Sequence, residues 1–435
     1  MMDIKLKKDA IQKNSVEETV LIKLRDTSEI KESVERKPLN IGVAIDVSGS
    51  MSVGIDSNHM ARFNGLGFPE FSDGVSKSRI EQAKMVVLKT IDSMHDGDII
   101  SITAFNDKVL NVVESTELSK DNRYEIREKI NGLSASGMTD LYSGWLGSVE
   151  QVAKRLDPTK LNRILLISDG DITVGVRDND KISQDVRKIS TKGISTSTFG
   201  IGSGFNEDLL QAISDASSAN SYYVEDEASM NKMFEDEFND FRNIAGTDVS
   251  ISFDFNDGVD MQDNMCDFKV ENGSYLLPNI RRNNDVYALF KLKLMKAVSS
   301  EGKANLGVIK LKYKDSKGEE KTLKQELQYE VVSKKDYQAM PENEEVMVQD
   351  VLMEVAKTKK QATEAIDKQD VEAATKLLDG SMNYLRGMSD KYHDSRLQAS
   401  LKSTEDTLLN AKNNDIGVLR KEITSQTYMS TRSMV

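Results

Sequence analysis

Between residues 39 and 243, four short apolar runs alternate with segments of helical period. The runs are NIGVAID (40–46), IISITAF (99–105), RILLIS (163–168) and ISTSTFGIG (194–202). Between and after them lie SRIEQAKMVVLKTIDSM (78–94), DLYSGWLGSVEQVAKRL (140–156), DKISQDVRKIS (180–190) and NEDLLQAISDAS (206–217). A strand that is apolar along its whole length needs cover on both faces, and crossover helices supply it. The alternation therefore predicts a doubly wound α/β domain built on a parallel sheet. An acidic amphipathic helix over ASMNKMFEDEFNDF (228–241) is expected to close it.

The period changes on either side. VSISFDF (249–255), VYALFKLKL (286–294), VIKLKY (308–313) and LQYEVV (327–332) alternate apolar and polar residues, with Gly258, Gly273, Gly302 and Gly318 in or near the connections. This is the pattern of antiparallel strands with one buried face. Residues 1–38 hold one comparable run, VLIKL (20–24), which must pair with something later because a lone strand is not stable. The expected arrangement is an α/β domain (39–243) inserted into an antiparallel β-sandwich made by 1–38 and 244–335. Helical periods return in VMVQDVLMEVAKTKKQATEAI (346–366), VEAATKLLDGSMNYLRGM (371–388) and LQASLKSTEDTLLNAK (397–412), predicting a helical domain over 340–415. The tail 416–435, Ser- and Thr-rich without clear period, is expected to be disordered.

Several classes of function are disfavoured by composition. The formal net charge is -13 over 435 residues, a poor match to nucleic acid or an anionic membrane. No stretch approaches the ~20 apolar residues of a membrane span. The N-terminus carries no apolar leader pattern, and Cys266 is the single cysteine, so the expected compartment is the cytoplasm.

The first apolar run ends in Asp46-Val47-Ser48-Gly49-Ser50. In an open parallel sheet, ligands bind beyond the carboxyl ends of the strands. In extended chain, side chains two apart point the same way, so Asp46, Ser48 and Ser50 can converge. One carboxylate with two hydroxyls, and no His or Cys, is a hard-oxygen set suited to Mg²⁺ or Mn²⁺, less tightly to Ca²⁺, and not to zinc. Two more loops have the right position. SASGMTDLYSG (134–144) offers Thr139, and RILLISDGD offers Asp169 at a strand end.

The set Asp46-x-Ser48-x-Ser50, Gly137-Met138-Thr139-Asp140-Leu141 and Ser168-Asp169-Gly170 strongly resembles the von Willebrand factor A domain, of the kind found in bacterial and protist multidomain proteins. The resemblance covers the α/β region. It implies a metal-ion-dependent adhesion site in which Asp46, Ser48, Ser50, Thr139 and Asp169 hold Mg²⁺, some through water. It further implies that an exchangeable position on the ion accepts a Glu or Asp from a partner protein. Cytoplasmic members often act as adaptors, so an AAA+ ATPase or a larger assembly is an implied partner. One departure is the segment 53–77, which separates the metal loop from the first helix. It reads equally as a lid carrying Asp56, Glu70 or Asp73 and as a plain surface loop.

Other signals are weaker. GIGSG (200–204) lacks dinucleotide spacing, and no phosphate-loop GK[ST] and no G-x-S-x-G elbow occurs. His59, His95 and His393 lie apart from one another. Asp140 reads as a helix-start acid, and Trp145 and Leu146 as core. The leading expectation is a non-enzymatic, metal-dependent interaction scaffold. A Mg²⁺-dependent hydrolase is the alternative, disfavoured because no Lys or Arg lies in the three loops; a protein with a purely stabilising metal is another.

Overall fold

The structure, a computed structural model, describes residues 2–26, 37–53, 78–169, 172–202, 205–224, 237, 243–282, 284–295, 298–315, 318–411 and 416–431. In chain order the strands are β1 (Met2–Leu6), β2 (Ile11–Gln12), β3 (Glu17–Leu24), β4 (Leu39–Asp46), β5 (Ile99–Phe105), β6 (Val109–Glu117), β7 (Leu161–Ser168), β8 (Ile194–Ile201) and β9 (Ser221–Val224). They continue as β10 (Ile244–Phe255), β11 (Val259–Asn264), β12 (Val270–Glu271), β13 (Ser274–Leu276), β14 (Ile280–Arg281), β15 (Val286–Leu294), β16 (Gly302–Asp315) and β17 (Glu320–Val332). The helices are α1 (Arg79–Ser93), α2 (Arg123–Asn131), α3 (Leu141–Ala153), α4 (Asn179–Ser190), α5 (Glu207–Ala216), α6 (Lys334–Ala339), α7 (Glu344–Asp367), α8 (Val371–Tyr392), α9 (Ser395–Ala411) and α10 (Ile416–Thr431). Two units form: Met1–Lys31 with Asn243–Val435, and Glu32–Arg242.

In the second unit the sheet order is β6-β5-β4-β7-β8-β9. All pairings are parallel except β5 with β6. Every residue of β4 and of β5 is buried, as their unbroken apolar runs require. Ile41, Val43 and Ile45 face a core shared with Val86, Val87 and Ile91 of α1 and Ile126 and Ile130 of α2. Ala44, Leu166 and Ile164 face the other way, onto Trp145 of α3, Ile182 and Val186 of α4 and Leu209 of α5. Trp145 satisfies its indole N–H on Thr196 Oγ1 at 3.1 Å. From β4 the chain winds outward through β5 to β6, then returns past β4 to β7 and winds the other way. β4 and β7 therefore flank the switch point, where such sheets open a crevice at their carboxyl ends. Strands β6 and β9 and helix α2 were not foreseen; VLNVVESTE lies largely exposed and carries little apolar period.

In the first unit, β1-β3-β15-β11 form one sheet and β12-β13-β10-β16-β17-β2 another. The early run at 20–24 lies in β3, which pairs antiparallel with β15, Leu21 opposite Leu289. Leu21, Leu289, Ile251, Leu311 and Val351 share one core. Phe253 of β10 meets Phe290 of β15 edge-on, centroids 5.0 Å apart. Residues 416–431 correct the expectation of a disordered tail: they form α10, burying Leu419, Ile423 and Tyr428. Its hydroxyls do not compete with the helix because they bond back to carbonyls four residues earlier, Thr424 to Arg420 and Thr427 to Ile423.

Glu18 in β3 is buried at 5% exposure with Thr19 N as a hydrogen-bond donor to its carboxylate. Burial pushes its pKa up to about 7. The folded state thus holds this proton more tightly than the unfolded chain, and stability falls as pH rises from about 4.5 towards 7. Glu18→Gln removes the ionised form altogether. It is expected to stabilise the protein by about 2–3 kcal/mol at pH 8 and by little at pH 4.5. Thermal melts of both proteins across this range check it; a pH-independent difference would refute it.

Candidate metal centre

The five residues expected at the metal lie in three loops at the β4–β7 switch point. Asp46 is the last residue of β4 and is fully buried. One carboxylate oxygen accepts Ser48 N at 2.8 Å, and the other accepts Ser168 Oγ at 2.7 Å from the end of β7. The register that sets Ile45 beside Ile167 creates this contact. Ser48 Oγ lies 3.0 Å from Ser50 Oγ, and Ser50 Oγ donates to Asp169 Oδ1 at 2.8 Å. Four of the five residues are thus linked by short polar contacts.

Thr139 comes from the third loop and makes no hydrogen bond with the other four among the described residues; its loop is fixed beside them through backbone. Gly49 N donates to Gly137 O at 3.0 Å, and Ser136 N donates to Val47 O at 2.7 Å. Thr139 N donates to Thr173 Oγ1 at 2.7 Å, while its carbonyl accepts from Thr173 N and Val174 N. Its hydroxyl makes no hydrogen bond among the described residues. Gly137 turns this loop with φ +82, a left-handed conformation favouring glycine. Asp140 caps α3, accepting Ser143 N at 3.1 Å, as expected of a helix-start acid. Ser50 and Met138 are exposed, so the cluster opens to solvent on their side.

Arg79 is the residue that sequence reasoning missed. It is the first residue of α1, and its Nη1 donates to Asp169 Oδ2 at 2.9 Å in a nearly buried ion pair. A signal was present: a cation in the first turn of a helix opposes the helix dipole and needs a nearby anion to stay there. The absence of Lys and Arg from the three loops does not keep a guanidinium out of the site, because helix α1 delivers one.

Burial pushes the Asp46 carboxyl up to about 6, opposed by the hydrogen bonds from Ser168 and Ser48 and reinforced by the charge of Asp169. Arg79 offsets one of the two buried carboxylates, and the hydrogen bonds to Asp46 come from a backbone N–H and a hydroxyl, so a second cation would be favoured there. The donor set of oxygens alone fits a hard divalent ion. Segment 54–77, the lid or surface loop of the sequence reading, lies outside the described residues. So do Gly170 and Asp171, and helix 228–241 except Glu237.

Residues 70–236 match the von Willebrand factor type A domain family, and the chain carries such a domain. Thr139 and Asp169 fall inside the match, and Asp46, Ser48 and Ser50 precede it. The chain is 26% identical over 241 residues to the uncharacterized protein YfbK of Escherichia coli, covering 55% of this chain and 38% of that protein. It is 26% identical over 216 residues to the uncharacterized protein sll0103 of Synechocystis, covering 50% and 44%. Human inter-alpha-trypsin inhibitor heavy chain H3 is 22% identical over 180 residues, 40% of this chain and 18% of that one. The chain thus spans less than half the length of these relatives. Two solved structures share the fold over almost the whole chain. A von Willebrand factor type A protein from Catenulispora acidiphila superposes with a TM-score of 0.71 at 14% identity, covering 99% and 96%. The ArnB paralog VWA2 from Sulfolobus acidocaldarius gives 0.59 at 14%, covering 99% and 98%. Among the described residues no helix is long and apolar enough to cross a membrane.

Proposed function

We propose that this protein is a metal-dependent protein-interaction scaffold. Asp46, Ser48, Ser50, Thr139 and Asp169 would hold Mg²⁺, which would supply a Lewis-acidic position for a Glu or Asp of a partner protein. The observation that carries the reading is the linked cluster Asp46–Ser48–Ser50–Asp169, in which Ser50 is exposed and the other three are buried. With Arg79 also paired to Asp169, the two carboxylates do not fully offset a bound dication and the guanidinium together, so a carboxylate from outside is attracted. Binding is favoured over hydrolysis because both oxygens of Asp46 are occupied by hydrogen bonds and Arg79 is committed to Asp169. The family resemblance points to an assembly, such as an AAA+ ATPase, as the partner, and to the cytoplasm as its place. We also read the first unit as a β-sandwich into which the α/β unit is inserted, a reading supported by the pairing of β3 with β15.

The test is capture from native extract on immobilised wild type in Mg²⁺, on wild type in EDTA, and on Asp46→Ala in Mg²⁺. A protein with an acidic contact residue, retained only by wild type in Mg²⁺, is the expected result. The same proteins in all three arms would overturn adhesion through this site.

A further inference from the structure

We propose that Arg79 is a tethered cation that holds Asp169 in place and, by competing for its carboxylate, sets how tightly the site takes a divalent ion. This rests on the metal reading above. Three observations carry it. First, Arg79 binds the very carboxylate expected at the ion, at 2.9 Å, with Asp169 wholly buried and the Arg79 side chain 11% exposed. At that burial an ion pair is screened little by salt. Second, room is made for the guanidinium. Gly202, at the end of β8 with φ +78, lies so close that a Cβ there would sit 2.6 Å from Arg79 Nε. That nitrogen is buried and has no hydrogen-bond partner among the described residues. A donor left in that state costs free energy, so the side chain is held by what its other end does, namely its bond to Asp169. Third, α1 begins at Arg79, where the helix dipole disfavours a positive charge. Arg79 N donates to Val53 O at 3.0 Å, which also joins the start of α1 to the loop that carries Ser48 and Ser50.

Asp169 is therefore shared. Its Oδ1 accepts from Ser50 and its Oδ2 from Arg79. A guanidinium beside the niche neutralises one of the two buried carboxylates and keeps it oriented. The same unit charge repels an incoming dication. The site is thus organised before a metal arrives, at the cost of a weaker grip on it. A weaker grip leaves the ion more electrophilic towards an external carboxylate, which suits an adhesion site.

The experiment is titration of the full chain with Mn²⁺, followed by its electron paramagnetic resonance signal, for wild type, Arg79→Gln, Arg79→Lys and Gly202→Ala. Arg79→Gln is expected to bind Mn²⁺ at least roughly tenfold tighter, the effect of removing one unit charge about 6 Å from a dication even at a water-like dielectric. Arg79→Lys, which keeps the charge, should stay near wild type. Gly202→Ala keeps the arginine but pushes its Nε from its seat, and should shift affinity in the same direction as Arg79→Gln; it serves if Arg79→Gln does not fold. Equal or weaker Mn²⁺ binding by both Arg79→Gln and Gly202→Ala overturns the inference while leaving the metal reading standing. No Mn²⁺ binding by folded wild type and folded Arg79→Gln overturns the metal reading itself.

Discussion

Replacing Glu237 by alanine is expected to lower the melting temperature of the full chain by roughly 10 °C, corresponding to about 3–5 kcal/mol in a unit of this size. Glu237 is completely buried, and Arg163 of β7, at 2% exposure, donates to its Oε1 at 2.9 Å. Ser197 Oγ donates to the same oxygen, while Asn220 Nδ2 and Tyr222 Oη donate to Oε2 at 2.7 and 2.9 Å. One carboxylate thus satisfies donors from β7, β8 and the edge strand β9. Truncation takes from a core guanidinium the counter-charge that Glu237 supplies, and from several buried donors the acceptor they share. The size of the loss comes from removing that counter-charge from a buried guanidinium rather than from the strength of the pair. Replacing both partners by methionine should therefore recover most of the stability. Differential scanning calorimetry of the three variants decides it. A shift of a degree or two for Glu237→Ala would show that water or another cation relieves Arg163, and would sink the argument.

The same pair shows where sequence reading stops. The strands β4, β5, β7 and β8 were legible because burial on both faces leaves one possible composition, and a run such as IISITAF has few other uses. Arg163 opens the run RILLIS, and nothing in the local pattern marks a charged residue there as buried. That it lies in the core is decided by Glu237, 74 positions later, and no local period carries that information. Arg79 was hidden for a similar reason. The three loops contain no Lys or Arg, and the cation comes from the first turn of a helix. The loops of the candidate site were legible as a cluster because polar residues at the ends of these strands can face only one place, the switch-point crevice. The helix α10 was obscured because Ser and Thr lower helix propensity in isolation. Its partners, including the buried Lys359 that donates to Gln426 Oε1 at 2.7 Å, lie far away in sequence.

Asp46→Asn is expected to reverse its stability relative to wild type when Mg²⁺ replaces EDTA. In chelator the wild type carries a fully buried carboxylate at Asp46 beside the second one at Asp169. The amide has the same shape. It can still accept from Ser48 N, and the Ser168 hydroxyl can rotate to accept from the new NH₂. Removing a desolvated charge without making a cavity should stabilise the chain by about 1–3 kcal/mol in EDTA. In Mg²⁺ the order should change. A ligand that binds only the folded state at 100 times its Kd adds about 2.7 kcal/mol, and wild type should gain this. Asp46→Asn, having lost one of two anionic ligands, should bind roughly a hundredfold more weakly and gain almost nothing at the same concentration. Melting curves of both proteins in EDTA and across a Mg²⁺ titration make the comparison. If wild type does not respond to Mg²⁺, the cluster is not a metal centre. If Asp46→Asn responds as strongly as wild type, the ion sits elsewhere. If Asp46→Asn is less stable than wild type in EDTA as well, the carboxylate is held by hydrogen bonds that outweigh its burial, and Asp46 is a structural residue before it is a ligand. A crossing of the two curves is the one outcome that needs both a destabilising buried charge and a cation that relieves it.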